Sequence, residues 1–199
     1  MVASLKHFKK LESLRGWRQV VFVLSLAERA TPNLKLFVES QELTLSREVK
    51  GALGALWKTV QENAKLQTLP YVEKLEEFLD QLGDIDAYGA RPASDWAQLL
   101  LLGLQLWDDD KSKKAREASE ISFRTVTDFV EFSEGEGLSD DDLVALWDKH
   151  PLVKDELAFH DELYAKLQEL RAPTAEGLAE IRKLSRQGGV SNIGISLDG

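Results

Sequence analysis

One stretch near the amino terminus, residues 17–33, constrains the fold more than any other part of the chain. Its apolar run VVFVLSL ends abruptly before Glu28 and Arg29, and Pro32 follows in the next helical turn. If the stretch is helical, Glu28 lies beside a core-facing stripe and Arg29 lies at its edge. Charges in such a place require partners or a functional role. The stripe consists of five apolar residues: Trp17, Val20, Val21, Leu24 and Ala27.

The absence of cysteine excludes several classes of protein and indicates a compartment. The 199-residue chain contains no Cys, so it has no disulfide framework, no thiolate ligand and no cysteine nucleophile. We therefore expect a reducing, cytoplasmic setting. The basic, sparsely apolar residues 1–10 do not resemble a signal peptide. The longest apolar run, residues 96–107, is shorter than the about 20 residues that cross a bilayer, so no membrane association is predicted.

The charge distribution argues against a nucleic-acid partner. Residues 1–50 hold nine Lys and Arg against five Asp and Glu, a net charge of +4. Residues 51–199 hold sixteen against twenty-nine, a net charge of −13, so the whole chain carries −9. An acidic body repels a phosphate backbone, and no common nucleic-acid-binding motif is present. The predicted partner is therefore another protein or, in a homodimer, a second copy of the chain.

Helical periodicity determines the predicted fold. Apolar residues recur at three- and four-residue spacing almost from end to end, whereas strand-like alternation occurs only in the tail. This predicts an all-α, single-domain multi-helix bundle of about nine or ten helices over residues 1–199, with a short extended C-terminal tail. Pro32 is expected to open a separate helix at residues 33–39, because proline in a first turn loses no hydrogen bond. Three residues are predicted N-caps: Ser46, Ser139 and Thr174.

Three blocks of the sequence, taken in order, resemble a known family. The resemblance covers most of the chain. The blocks are Trp17, Val20, Phe22, Leu26, Glu28, Arg29, Pro32, Asn33 and Phe37; then Asp86, Tyr88, Gly89, Pro92, Ala93 and Asp95; and finally Ser191, Asn192, Ile193, Gly194 and Ile195. On these residues the chain resembles the YjaG-like bacterial family, a domain of unknown function with the family number 416. Arg91 departs from the family, in which an aromatic residue is usual there. The resemblance implies a helical fold and a bacterial cytosolic setting, and it implies no activity.

Glu28 and Arg29 allow two interpretations. In the structural one, the pair is partly buried, caps helix ends and sets how Pro32 and Asn33 turn the chain. In the functional one, Glu28 is a desolvated acid, base or oxygen ligand, and Arg29 clamps an anion.

Carboxylates also cluster in the loop at residues 84–95. They surround the start of a predicted core helix, where the free N–H groups of the helix end favour them without any ligand. Alternatively, they form a hard-cation site together with Glu28, since magnesium and calcium take oxygen ligands. The spacing matches no calcium loop, so neither a metal nor a cofactor is assigned. The candidate pocket comprises Glu28, Arg29, Asn33, Asp84, Asp86, Tyr88 and Asp95.

Two further groups of polar residues have structural explanations. His160 shares a helix face with Glu156, which predicts a hydrogen-bonded side chain at a helix contact. Three hydroxyl residues line one helix at three-residue steps, where they bond back to the preceding turn or allow a tight crossing. No Gly-x-Ser-x-Gly motif accompanies them. They are Ser119, Ser122 and Thr125.

The tail is the candidate interaction segment. Isoleucines two residues apart point the same way in an extended chain, and the glycine between them permits close backbone approach. Packed on its own molecule, the segment is a structural latch. Packed on a neighbour, it is a dimer arm or a partner-binding segment. Its residues are Ser191, Asn192, Ile193, Gly194 and Ile195.

No complete catalytic set can be assembled from these residues. We therefore predict a soluble bacterial cytosolic interaction or regulatory protein without catalysis. The alternative is an enzyme or a cation-binding protein with a carboxylate-rich pocket around Glu28, Arg29 and the loop at residues 84–95. That alternative requires these segments to meet in one concave cavity.

Overall fold

The chain folds into packed helices, which confirms the predicted all-α class. The computed structural model describes residues 8–109 and 113–196. Residues 8–11 are also helical. Within the described part, the long helices are α1 (Trp17–Ser40), α2 (Arg47–Glu62), α3 (Leu69–Gly83), α4 (Ala90–Asp108), α5 (Ala115–Glu134), α6 (Asp140–Lys149), α7 (Pro151–Glu169) and α8 (Ala175–Arg186), followed by a 3-10 turn at Gln187–Gly189.

Local capping explains where several helices begin. The side chains of Ser46, Ser139 and Thr174 each accept a hydrogen bond from a backbone N–H three residues further on, at 3.1, 3.3 and 3.2 Å. Such bonds satisfy N–H groups that have no partner within the helix. The three predicted N-caps are therefore confirmed.

The first long helix does not break at Pro32, contrary to the sequence-based expectation. α1 continues from Trp17 to Ser40 with Pro32 inside it. An interior proline removes one helical hydrogen bond and costs about 3 kcal/mol in isolation. Here both halves of the helix bury side chains in the same core, including Leu26 before the proline and Leu34 after it. Packing on both sides outweighs the local preference.

α1 is the central element of the fold. Every residue from Gln19 to Ala30 is buried, because α2, α4, α5, α7 and α8 all pack around this helix. α4 approaches closely at Gly103, where an added Cβ would lie 3.4 Å from a side-chain carbon of Leu24. A smaller apolar cluster joins α5, α7 and the C-terminal segment through Val126, Val130, Val153 and Ile193.

The C-terminal tail forms a tight turn rather than an extended strand. The backbone N–H of Ser191 donates to the carbonyl oxygen of Ile195 at 2.8 Å, and Ser191 Oγ accepts from the backbone N–H of Ile195 at 3.1 Å. Gly194 closes the turn with φ of 80°, a conformation that favours glycine. Ile193 is buried against α5 and α7, so this part of the tail is packed on its own chain.

Within residues 8–109 and 113–196, the only β-type pairing is a single isolated bridge between Val190 and Ser196. None of the helices in the described part of the chain is both long enough and apolar enough to cross a bilayer.

Candidate functional site

An apolar groove opens beside the second half of α1. Its volume is about 330 Å³, which lies near the lower end of the range for small-molecule sites. The walls come from α1, the loop before α4, the start of α4, the end of α5 and the C-terminal turn. The lining residues are Asn33, Leu36, Phe37, Ser40, Gln41, Ala87, Tyr88, Gly89, Pro92, Phe129, Ile193 and Ile195.

Apolar surface continues beyond the groove. Leu36 on its wall is 44% exposed, and Phe132 just outside it is 65% exposed. The Phe132 ring stacks on Tyr88 with centroids 4.1 Å apart and an interplanar angle of 19°. Covering exposed apolar side chains removes apolar surface from water and is favourable, and contiguous apolar patches commonly mark interaction sites.

The described lining residues include no charged side chain. Burial raises the pKa of the Tyr88 hydroxyl to about 12, with a further contribution from the nearby Asp128 carboxylate. Tyr88 therefore remains neutral at any physiological pH. The groove thus offers a neutral and mainly apolar surface.

Gly89 is required by the packing at the floor of the groove. A Cβ at this position would lie 2.6 Å from a ring carbon of Phe37, a distance that real side chains do not show. Only glycine lets the start of α4 approach α1 so closely. A larger residue would displace Phe37 and change the shape of the groove.

A buried polar cluster lies next to the groove along α1 and is centred on Glu156 of α7. Arg29 Nε donates to Glu156 Oε2 at 2.8 Å, His160 Nε2 bonds to Oε1 at 2.9 Å, and the Ser122 hydroxyl also bonds to Oε1. Glu156 and His160 have no exposed surface, and Arg29 is almost fully buried. The cluster therefore joins α1, α5 and α7 through charges that are paired in the interior.

The cluster extends in two further directions. His160 Nδ1 bonds to Ser119 Oγ at 2.8 Å. The Arg29 guanidinium lies 4.6 Å from the centroid of the Phe159 ring and donates to the Gln187 side chain. Each charged or polar group thus has a hydrogen-bond partner, as burial requires.

Glu156 remains ionised in this environment. Burial by itself raises the pKa of a carboxyl, but His160, Arg29 and the Ser122 hydroxyl together outweigh it and lower the pKa of Glu156 below its ordinary value. An ionised carboxylate accepts hydrogen bonds and donates none.

The order Ser119, His160, Glu156 has the composition of a hydrolytic triad but not its accessibility. All three side chains have no exposed surface. A nucleophile must reach a substrate, and its base must be oriented at the edge of a cleft. These residues join α5 to α7 in a packed interior, so their role is structural.

Glu28 and Asp95 are also paired with residues of other helices. Glu28 accepts from Arg186 at 2.6 Å and lies 3.4 Å from Arg182, so it ties α1 to α8. Asp95 accepts from Arg124 at 2.7 Å and from the Thr125 hydroxyl at 2.8 Å, which ties α4 to α5. Each carboxylate therefore has side-chain partners that satisfy it without a metal ion.

The seven residues of the candidate pocket do not meet in one cavity. Asn33 and Tyr88 line the apolar groove. Asp84 and Asp86 are exposed in the loop before α4. The remaining three, Glu28, Arg29 and Asp95, are buried in separate ion pairs. In residues 8–109 and 113–196, no three His, Asp or Glu side chains come together so that they could hold a metal ion. The expected carboxylate-rich pocket is therefore wrong in its geometry.

The sequence did not reveal the partner that Arg29 finds in Glu156. One signal was available: a charged residue beside a buried helical stripe needs an opposite charge, and Glu156 precedes His160 by one helical turn. The four-residue spacing of Glu156 and His160 places both on one face of α7. Which of the many carboxylates in the chain meets Arg29 depends on how helices far apart in sequence pack, and periodicity does not determine this.

The geometry defines an all-α protein whose C-terminal turn is docked between helices beside an apolar groove. Residues 6–196 match the family described as "Protein of unknown function (DUF416)". The chain belongs to this family, which confirms the resemblance seen in the sequence.

Curated relatives span nearly the same length. An uncharacterised protein of Haemophilus influenzae is 30% identical over 190 residues, covering 94% of this chain and 95% of that protein. The uncharacterised protein YjaG of Escherichia coli is 30% identical over 189 residues, covering 94% of each chain.

A solved structure also matches the fold. The crystal structure of a DUF416 family protein from Shewanella baltica is similar with a TM-score of 0.85 and 28% sequence identity, over 96% of this chain and 98% of that one. The arrangement of helices is therefore shared within the family.

Proposed function

We propose that this chain is a cytoplasmic, non-catalytic binding protein whose apolar groove docks a segment of a partner protein. The observation that carries the proposal is the continuity between the groove and the exposed apolar side chains next to it. A hydrophobic core surrounded by a polar rim is the usual anatomy of an interaction site. The absence of cysteine from the sequence supports the cytoplasmic setting.

The size of the apolar surface favours a peptide segment over a small molecule. A ligand inside the 330 Å³ groove would contact Leu36 and Phe129 but would leave Phe132, which does not line it, in water. A bound segment could insert one apolar side chain and cover Phe132 with the next. Anchoring by a few apolar side chains is how short segments bind to preformed grooves.

The paired interior favours binding over catalysis. The carboxylates that could serve as acid, base or metal ligand at Glu28, Asp95 and Glu156 are all engaged by arginine, histidine or hydroxyl partners. The groove itself offers apolar side chains, amides and a hydroxyl of raised pKa. Such a surface can recognise a partner, and it presents no group poised for proton transfer or nucleophilic attack.

A displayed peptide library tests the proposal directly. Random peptides long enough to present several anchor side chains would be selected on the wild-type protein. Their affinities would then be measured by fluorescence anisotropy for three proteins: wild type, Leu36→Glu and Leu69→Glu. Leu69 is the matched control, because it is 65% exposed and lies outside the groove.

We expect selection to yield peptides with apolar anchors. They should bind Leu36→Glu about tenfold more weakly, because the variant places a carboxylate on the apolar wall, and Leu69→Glu with unchanged affinity. Leucine and glutamate have similar helix propensities, so neither change should unfold the protein. The proposal is lost if no peptide is selected, or if selected peptides do not distinguish the two variants. It is also lost if the only occupant proves to be a second copy of the chain.

A further inference from the structure

We propose that the groove selects an occupant with a neutral N–H donor, which is accepted by the side-chain oxygen of Asn33, and that Glu156 sets the orientation of this amide through a chain of hydrogen bonds. The inference rests on the proposed function, because it names the chemistry of the segment that the groove would hold. The direction of each hydrogen bond in the chain supports it.

The chain of hydrogen bonds starts at Glu156. As a carboxylate it can only accept, so the Ser122 hydroxyl, which bonds to Glu156 Oε1, must donate its one proton there. The oxygen of Ser122 can then only accept from any other neighbour. The direction of this first bond decides the direction of those that follow.

Asn192 in the C-terminal turn forms the next link. Its amide lies 3.5 Å from Ser122 Oγ, and because that oxygen can only accept, the Asn192 Nδ2 group must face it. The opposite orientation would place two acceptor oxygens against each other. Asn192 is buried, so water cannot relieve such a clash.

Asn33 on α1 completes the chain. With Asn192 Nδ2 directed to Ser122, Asn192 Oδ1 faces Asn33 and accepts from Asn33 Nδ2 at 2.8 Å. Asn33 Oδ1 is therefore an acceptor without a hydrogen-bond partner among the described residues. Asn33 is only 3% exposed and is one of the residues that line the groove, so a donor of the occupant must reach the buried Oδ1 from the groove side.

An unpaired acceptor in such a place determines what binds well. A buried carbonyl oxygen without a donor is unfavourable, and a ligand that supplies one regains the lost hydrogen bond. The donor should be neutral, because the described groove residues provide no carboxylate to pair with an ammonium group. An amide N–H flanked by apolar groups meets both requirements, and every peptide segment contains such groups.

Three small probes separate the hydrogen bond from the shape of the ligand. Benzamide and N-methylbenzamide each carry an amide N–H, whereas N,N-dimethylbenzamide lacks it. Their affinities for the wild-type protein would be measured by heteronuclear NMR titration, with the side-chain amide signal of Asn33 as a local reporter. We expect both N–H probes to bind about tenfold more tightly than the dimethyl probe.

Three variants test the residues that set this preference. Asn33→Leu removes the acceptor and should bind all probes alike. Gln41→Leu is the matched control, because it removes another amide from the groove wall and should keep the preference. Ser122→Ala removes the link to Glu156, so the Asn192 and Asn33 amides can reverse and the preference should fall without loss of the groove. Thermal unfolding of each variant would verify that it folds.

The outcomes also distinguish this inference from the proposed function. The inference would be overturned by any of three results: equal affinities of the probes for the wild type, no binding of any probe, or a preference that persists in Asn33→Leu. Selection of peptides in those cases would leave the proposed function standing. Conversely, a clear preference for N–H probes without any selected peptide would support the amide site and remove the protein partner.

Discussion

Two neighbouring regions along α1 contrast in how their polar and apolar groups are satisfied. Towards α7, charged side chains such as Arg29 and Glu156 are buried and fully paired. Towards the loop before α4, apolar side chains such as Leu36 remain partly in water, and the Asn33 oxygen has no partner in the described chain. The first region is paired throughout, whereas the second keeps exposed apolar surface and an unpartnered acceptor. The contrast leads us to assign the charged residues to the architecture and the exposed apolar residues beside the groove to the proposed recognition.

The largest expected effect comes from breaking the buried cluster. In Glu156→Gln the Arg29 guanidinium stays buried without a counter-charge, which should lower the free energy of unfolding by about 3 to 5 kcal/mol. Urea denaturation followed by circular dichroism measures this loss. Glu28→Gln is the matched control: its partner Arg186 is largely exposed, so we expect a loss of only about 1 kcal/mol. Equal losses in the two variants would contradict the structural role given to Glu156.

The C-terminal turn should matter less, but measurably. Ile193→Ala removes a buried side chain from the small cluster between α5 and α7, and such truncations cost about 2 to 4 kcal/mol. Ile195→Ala, on a half-buried residue of the same turn, is the comparison. Denaturation midpoints would show the loss. A turn that contributed nothing to stability would leave both variants like wild type and would reopen the possibility of an arm that binds a neighbour.

The pH dependence of stability should report the same cluster. The pKa of Glu156 is lower in the folded chain than its ordinary value of 4.5, because His160, Arg29 and Ser122 outweigh burial. Its contribution is therefore present above this ordinary value and is lost as the pH falls towards the folded pKa. Between neutral pH and about pH 3, the difference in stability between wild type and Glu156→Gln should shrink by about 2 kcal/mol. A difference that stays constant would show that folding does not lower the pKa of this carboxyl.

The smallest effect on stability is expected at the rim of the groove. Phe132 is mostly exposed, so Phe132→Ala should change the free energy of unfolding by at most about 0.5 kcal/mol. Selected peptides should nevertheless bind this variant several-fold more weakly, because the ring beside Tyr88 is lost. Isothermal calorimetry and urea denaturation on the same sample measure the two quantities. A stability loss without a change in binding would assign Phe132 to packing alone.

Much of the fold could be predicted from the sequence. Spacing identified the apolar faces of the helices, and hydroxyl residues such as Ser46 marked where helices begin. The break expected at Pro32 was wrong, because local rules do not include the core that both halves of α1 share. The extended tail was wrong for a similar reason, since the Ser191 hydroxyl organises a turn that periodicity does not detect.

The site was harder to predict than the fold. Asn33 and Tyr88 were expected to lie in one pocket, and both line the groove. Glu28 and Arg29 were expected to pair or to act together, but each meets a partner more than one hundred residues away in sequence. Such pairings depend on the three-dimensional arrangement of helices. One sequence shows that a buried charge needs a partner, and it does not show which residue supplies it.

The most direct test of the account is an NMR map of the protein with a selected peptide bound. Backbone shifts should change around Phe37, Gly89 and Ile193, which line the groove, and should stay unchanged at the start of α3 around Leu69. That pattern would place the partner where apolar surface is left uncovered. Changes centred on Glu28 and α8, with none at the groove, would contradict the assignment of charged residues to architecture and apolar ones to recognition.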